Sequence, residues 1–175
     1  MEVLDLYNGK REKLNKTIMR EEKIADGEYK LSVHVWILNS RGELLIQKRN
    51  ENLVRNPGKW AFTGGVVDAG ETSLQGALRE SREELGININ KNKIELLLSF
   101  KREQGFVDVW LVKEDLDINK LILQKDEVSD VRWVSVKELK RLIDEERFVS
   151  SVRLYYNLFT NLLAKCHNVD IGGIK

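Results

Sequence analysis

The sequence predicts an α+β domain with a mostly antiparallel sheet, and three observations carry that prediction. Apolar residues recur at period two in paired segments joined by short polar turns. Three further segments carry apolar residues at helical spacing, two of them behind a capping-box pattern. A chain of 175 residues, 42% apolar and 33% charged, has the size and composition of a single domain over 1–175 and excludes collagen-like, low-complexity and disordered classes.

Residues 1–30 read as a hairpin-like extension: VLDLY and TIMR are candidate short strands about Asn8-Gly9, with the polar KREKLNK between them. Residues 31–38 place Leu31, Val33, Val35 and Ile37 on one face. After Asn39-Ser40-Arg41-Gly42 the run ELLIQKR completes a hairpin. His34, on the first of these strands, reads as a packed or edge residue rather than a ligand. IELLLSFK and GFVDVWLVK pair about Gln104-Gly105, and VRWV at 131–134 is one more short strand.

The first helix spans 73–85, with Thr72 and Gln75 in capping-box spacing and Gly86 at its stop. The second follows Ser135, has Glu138 three residues on, and buries Leu139, Leu142 and Ile143. The third, about 150–165, carries Val152, Tyr155, Tyr156, Phe159, Leu162 and Leu163; such a stripe is core packing, with a ligand or dimer surface as its other reading. The final NVDIGGIK is expected to fray.

The charges, 29 basic and 28 acidic, leave +1, so no stable nucleic-acid partner is expected. Cys166 has no second cysteine to pair with, and two histidines cannot complete a Cys/His zinc cluster. The start, MEVLDLYNGKREK, lacks the order of a signal peptide, and no apolar run reaches the roughly 18 to 20 residues of a membrane span. A soluble, cytoplasmic protein without membrane association is expected.

The segment that carries chemistry is GGVVDAGETSLQGALRESREELGI, residues 64–87, where a glycine-rich loop feeds an acidic helix. At about 100° per residue, Leu74, Ala77, Leu78, Ser81 and Leu85 share one arc while Glu80, Glu83 and Glu84 share another. Glu80 and Glu84 are like charges at i,i+4, an arrangement that costs an isolated helix on the order of 0.2–0.5 kcal/mol. A hard divalent cation would offset that repulsion, since Mg²⁺ takes carboxylate oxygens together with water and phosphate. The same spacing also suits a solvated helix face with an ordinary Arg79–Glu83 pair. Arg79 has a further option, orienting a carboxylate such as Glu71 or contacting a phosphate.

The order of residues separates these readings. Gly65, Glu71, Arg79-Glu80, Glu83-Glu84, Gly86 and Ile87 resemble the box of the Nudix (MutT-like) hydrolase family, G-x5-E-x7-R-E-U-x-E-E-x-G-U with U apolar. Ser81 is the one departure, at a position usually aliphatic or small. LLIQKR, NPGKWAFTGG and DEVSDVRWVSVKEL also resemble their Nudix counterparts. The N-terminal LDLYNGKREKLNKTIMR is similar to the leading segment of a subgroup related to isopentenyl diphosphate isomerases.

The resemblance implies an α/β/α sandwich with a mixed sheet between helices. It further implies Mg²⁺- or Mn²⁺-dependent hydrolysis of a phosphoanhydride in a nucleoside diphosphate linked to another moiety, a nucleoside di- or triphosphate being the default substrate. By position it implies metal ligation by Glu80, Glu83 and Glu84 with the Gly64 carbonyl. Glu80 or a Glu on a later loop, for which Glu127 is nominated, would be the base, and Arg79 and Glu71 would support it. A homodimer is among the family's arrangements.

A base crowded by carboxylates should hold its proton more tightly, so activity is expected to rise with pH. Around the box, Arg49 and Lys59, with Lys48 and Arg55, are candidates for phosphate oxygens, and Trp60 and Phe62 for a base, though burial suits the two rings as well. Pro57 would stiffen the loop between them. Isomerase activity is disfavoured, because Gly64 and Val66 stand where isopentenyl diphosphate isomerases look for a cysteine and a histidine. A non-catalytic nucleotide-binding module is the remaining alternative.

Overall fold

The computed structural model describes residues 2–167, so the NVDIGGIK tail lies outside the described residues. The elements run β1 (Val3–Tyr7), β2 (Lys13–Met19), β3 (Lys30–Leu38), β4 (Leu44–Arg49), β5 (Trp60–Ala61), α1 (Ser73–Leu85), β6 (Ile94–Arg102), β7 (Gly105–Lys113), β8 (Val128–Val134), α2 (Val136–Asp144) and α3 (Tyr156–His167). The chain divides into two compact units, Met1–Trp36 with Thr63–Val112, and Ile37–Phe62 with the described residues from Lys113 onward. Each is an α+β unit built on antiparallel pairing.

In the first unit β1 and β2 form an antiparallel pair, Val3 opposite Met19 and Tyr7 opposite Lys13. β2 starts inside the polar KREKLNK, earlier than the TIMR segment that sequence patterning suggests. None of its side chains is buried, so no apolar alternation marks it. β1 supplies the burial instead, through Leu4 and Leu6. The predicted pairing of β6 with β7 runs from Ile94↔Val112 to Arg102↔Gly105, and β7 also neighbours β3.

β3 buries Leu31, Val33 and Val35 as its period predicts, and Ser32 and Trp36 besides, so both of its faces are covered there. His34 on the same strand is packed: burial, with a contribution from the Arg102 charge, pushes its pKa down to about 4.

In the second unit β4 is the organising strand. Its first residue pairs with the end of β3 (Leu44↔Leu38), its last residues with β5, and its whole length with β8. α2 begins as predicted at Ser135, whose Oγ accepts from Glu138 N at 3.1 Å, and it buries Val136, Leu139, Leu142 and Ile143.

The single third helix predicted over about 150–165 is instead a 3₁₀ turn, Ser150–Leu154, followed by α3. The turn closes through Tyr155 N donating to the Val152 carbonyl at 3.1 Å. Burial masks the break in the sequence, because Val152, Tyr155, Tyr156, Phe159 and Leu163 are all covered on both sides of it. The stripe is therefore core, with the Tyr156 hydroxyl donating to the Val136 carbonyl at 3.2 Å. Among the described residues no helix is long and apolar enough to cross a membrane.

Candidate active site

α1 is set by its ends. Thr72 and Gln75 form the reciprocal capping box, and Gly86 closes the helix in a left-handed conformation with its N–H on the Arg82 carbonyl. Ala77, Ser81 and Leu85 pack inward. Ser81 is no defect there, because its hydroxyl donates to the Ala77 carbonyl at 2.8 Å.

The loop ahead of the helix is laid along β3 by Val33 N donating to the Gly65 carbonyl at 2.9 Å and Val35 N to the Thr63 carbonyl at 2.8 Å. Glycine is required at its start. A Cβ on Gly64 would overlap the backbone carbonyl of Val33, whereas one on Gly65 would meet only the tip of Glu80, which packs directly over it and would have to swing aside.

Arg79 is the centre of the site. Its Nε donates to both Glu71 oxygens at 3.1 Å, its Nη1 to Glu80 at 2.9 Å and Glu83 at 3.0 Å, and its Nη2 to the Val66 carbonyl at 3.0 Å. Asp68 adds a further carboxylate 3.5 Å from Nε. Only 16% of the Arg79 side chain is exposed, and 12% of Glu80. Burial alone would lower the Arg79 pKa. The hydrogen bond to Glu71, the Glu80 charge and the bonds to Glu83 and Glu80 reverse this and raise it.

Asp68 shows the opposite response. Desolvation, against the pull of Arg79 and with Glu71, Glu2 and Glu83 nearby, raises its carboxyl pKa, and its Oδ1 is buried without a hydrogen-bond partner.

Glu84 does not fit the alternative of a solvated helix face. It is only 3% exposed, and its Oε2 accepts from Gly64 N at 3.0 Å. Glu71, Glu80 and Glu83 thus share one network about Arg79 in the first unit, and Glu84 is tied to Gly64 by a separate bond. Among the described residues no three His, Cys, Asp or Glu side chains already converge on a point where a metal ion would sit. The guanidinium explains why: it takes Glu80 and Glu83 for itself. The donor set nevertheless fits a hard cation. Glu80, Glu83 and Glu84 offer carboxylate oxygens, the donor type such a cation takes, from adjacent turns of one helix.

The remaining candidates lie in the second unit. Glu127 immediately precedes β8; its carbonyl accepts from Asn50 N at 2.8 Å and its Oε1 from Gln124 Nε2 at 3.3 Å. Arg49 donates Nε to the Arg55 carbonyl at 3.1 Å, and its N–H reaches the Lys59 carbonyl at 2.9 Å. Lys48 pairs with Glu51 at 3.1 Å. Trp60 and Phe62 are each 6% exposed, so the burial reading holds for both. The Arg132 guanidinium lies 4.4 Å from the Trp60 ring centroid, and Phe148 lies 5.1 Å from Phe62.

Sequence reasoning missed Asp68 and the Gly64 N–H. Asp68 had one signal, an acid three residues before Glu71 in a loop with too few apolar neighbours to pack it. The backbone donor had none.

A loop–helix of this kind, on an α+β fold, is the framework of the Nudix hydrolases. The chain belongs to that family: a NUDIX domain matches residues 28–154. An uncharacterized Nudix hydrolase of Listeria monocytogenes is 43% identical over 150 residues, covering 85% of this chain and 89% of that protein. Among solved structures, a Deinococcus radiodurans protein superposes with a TM-score of 0.73 at 26% identity, covering 85% of this chain and 92% of its own. A bifunctional NMN adenylyltransferase/ADP ribose pyrophosphatase from Francisella tularensis, solved with AMP and a manganese ion, shares the fold with a TM-score of 0.59 at 22% identity, over 79% of this chain and 42% of its own.

Proposed function

We propose that this Nudix hydrolase cleaves a phosphoanhydride bond in a nucleoside diphosphate linked to another moiety, with nucleoside di- and triphosphates as the substrate class. The observation that carries the reading is the Arg79 clamp, which holds Glu71, Glu80 and Glu83 in register beside the Gly64-Gly65 loop. On this reading the whole chain acts as one catalytic domain.

Glu80, Glu83 and Glu84, with the Gly64 carbonyl, are the residues that would hold Mg²⁺ or Mn²⁺. Such a cation neutralises phosphate charge and lowers the pKa of a water bound to it. Glu80 or Glu127 takes the proton of the attacking water, and Arg79, itself held by Glu71, fixes the orientation of Glu80. Arg49 and Lys59 meet phosphate oxygens. The rate is expected to rise with pH as the base loses its proton.

The test is nucleotide or phosphate release from nucleoside di- and triphosphates, ADP-ribose, dinucleoside polyphosphates and nucleotide sugars, with Mg²⁺, Mn²⁺ or chelator, beside Glu84→Gln. Glutamine keeps an acceptor for Gly64 N while deleting the charge. Metal-dependent cleavage of one class, lost in the variant, supports the reading. Silence on every phosphoanhydride would point to a binding module, and allylic isomerisation of isopentenyl diphosphate to an isomerase.

A further inference from the structure

We propose that Asp5, on the N-terminal hairpin and outside the matched NUDIX segment, is a positioning residue that holds the turn delivering Glu71 to Arg79. The inference rests on the hydrolase reading above. Residues 68–71 form a turn closed by Glu71 N donating to the Asp68 carbonyl at 3.0 Å, with Gly70 in its third position at φ +85°. In such a turn the two central N–H groups have no partner within the turn.

The hairpin takes both. Ala69 N donates to the Val3 carbonyl at 2.7 Å, and Gly70 N donates to Asp5 Oδ2 at 2.7 Å. Asp5 is 6% exposed between the buried Leu4 and Leu6, and Lys13 from the facing strand lies 2.6 Å from the same Oδ2. A buried carboxylate without a cation would be costly, and this one has its cation built into the hairpin.

From the turn the connection continues without a gap. Glu71 accepts from Asp68 N at 3.2 Å and from Arg79 Nε at 3.1 Å, and the same guanidinium holds Glu80 and Glu83. Asp5 touches none of these acids. It fixes the backbone from which the first of them projects, so its loss should shift the clamp rather than delete a member of it. An Asn at this place keeps the acceptor for Gly70 N and gives up only the charge toward Lys13, whereas an Ala gives up both.

The experiment compares wild type, Asp5→Asn and Asp5→Ala in steady-state hydrolysis over a Mg²⁺ titration, at a temperature where circular dichroism shows each fully folded. Asp5→Ala is expected to lower kcat by about tenfold and to raise the Mg²⁺ concentration for half-maximal rate, with KM within about twofold, while Asp5→Asn recovers most of kcat. Folded Asp5→Ala with wild-type kcat and Mg²⁺ dependence, or Asp5→Asn as impaired as Asp5→Ala, overturns the proposal. Amide hydrogen exchange of Gly70 in the unmodified protein is a test independent of the variants: slow exchange supports the bond to Asp5, and exchange at the rate of an open loop refutes it. A wild type inactive on every phosphoanhydride would sink the hydrolase reading and this role with it, an outcome distinct from an active wild type unmoved by the substitution.

Discussion

α1 and α2 each carry five charged residues behind a hydroxyl N-cap, yet only α1 gathers its acids about a largely buried guanidinium. α2 is laced by Lys140–Asp144 at 2.7 Å, Arg141–Glu138 at 3.2 Å and Arg141–Glu145 at 3.8 Å, all between exposed or half-exposed side chains. Pairs of that kind are worth about 0–1 kcal/mol each. In α1 one guanidinium, largely removed from water, serves three carboxylates, and a fourth, Glu84, is buried against a backbone N–H. The difference lies in burial rather than charge density: the glycine loop lies over the acidic face of α1, so its charges must satisfy one another or a ligand.

Glu84→Gln on α1 should cut turnover by about a hundredfold or more with the fold intact. Glu138→Gln on α2 should leave kcat at the wild-type value in the same assay. Next, Arg79→Met should destabilise by about 3 kcal/mol, because it strands carboxylates around a vacated centre, and millimolar Mg²⁺ should restore part of that loss. Arg141→Met should cost under about 1 kcal/mol and be indifferent to Mg²⁺ in the same urea titrations.

Smaller effects follow the shifted groups. The Asp68 pKa is raised in the folded chain, so any stability it contributes is present below its ordinary value of 3.8 and is lost as pH rises through the folded value. Asp68→Asn should therefore raise the melting temperature slightly at pH 7 and leave it unchanged or lower near pH 3. His34 has the opposite sign. Its pKa falls from 6.5 to about 4, so the stability it supports above pH 6.5 drains away between 6.5 and 4, as the unfolded chain takes up a proton that the folded chain refuses. His34→Gln should flatten the pH dependence of unfolding in that window, whatever its effect at pH 8.

What the sequence made legible follows from locality. The caps of α1 and α2, the glycine stop and the β3–β4 and β6–β7 hairpins are decided by residues within a few positions of one another, and all were readable. β2 was misplaced because an exposed strand has no apolar side to pattern. The 3₁₀ turn before α3 was invisible because i+3 and i+4 spacings nearly coincide over one turn. The acids that Arg79 gathers, Glu71, Glu80 and Glu83, were singled out by their order along the chain. Their dependence on Asp5 was not, since Asp5 and Gly70 lie 65 positions apart and meet only through a hydrogen bond to backbone.

Whether the acids of α1 hold a cation is read by titrating Mn²⁺ into the full chain and following free Mn²⁺ by electron paramagnetic resonance, for wild type and Glu84→Gln. Saturable binding by wild type is expected, weakened by about tenfold or more in the variant. Equal binding by the two proteins, with both folded, would contradict it.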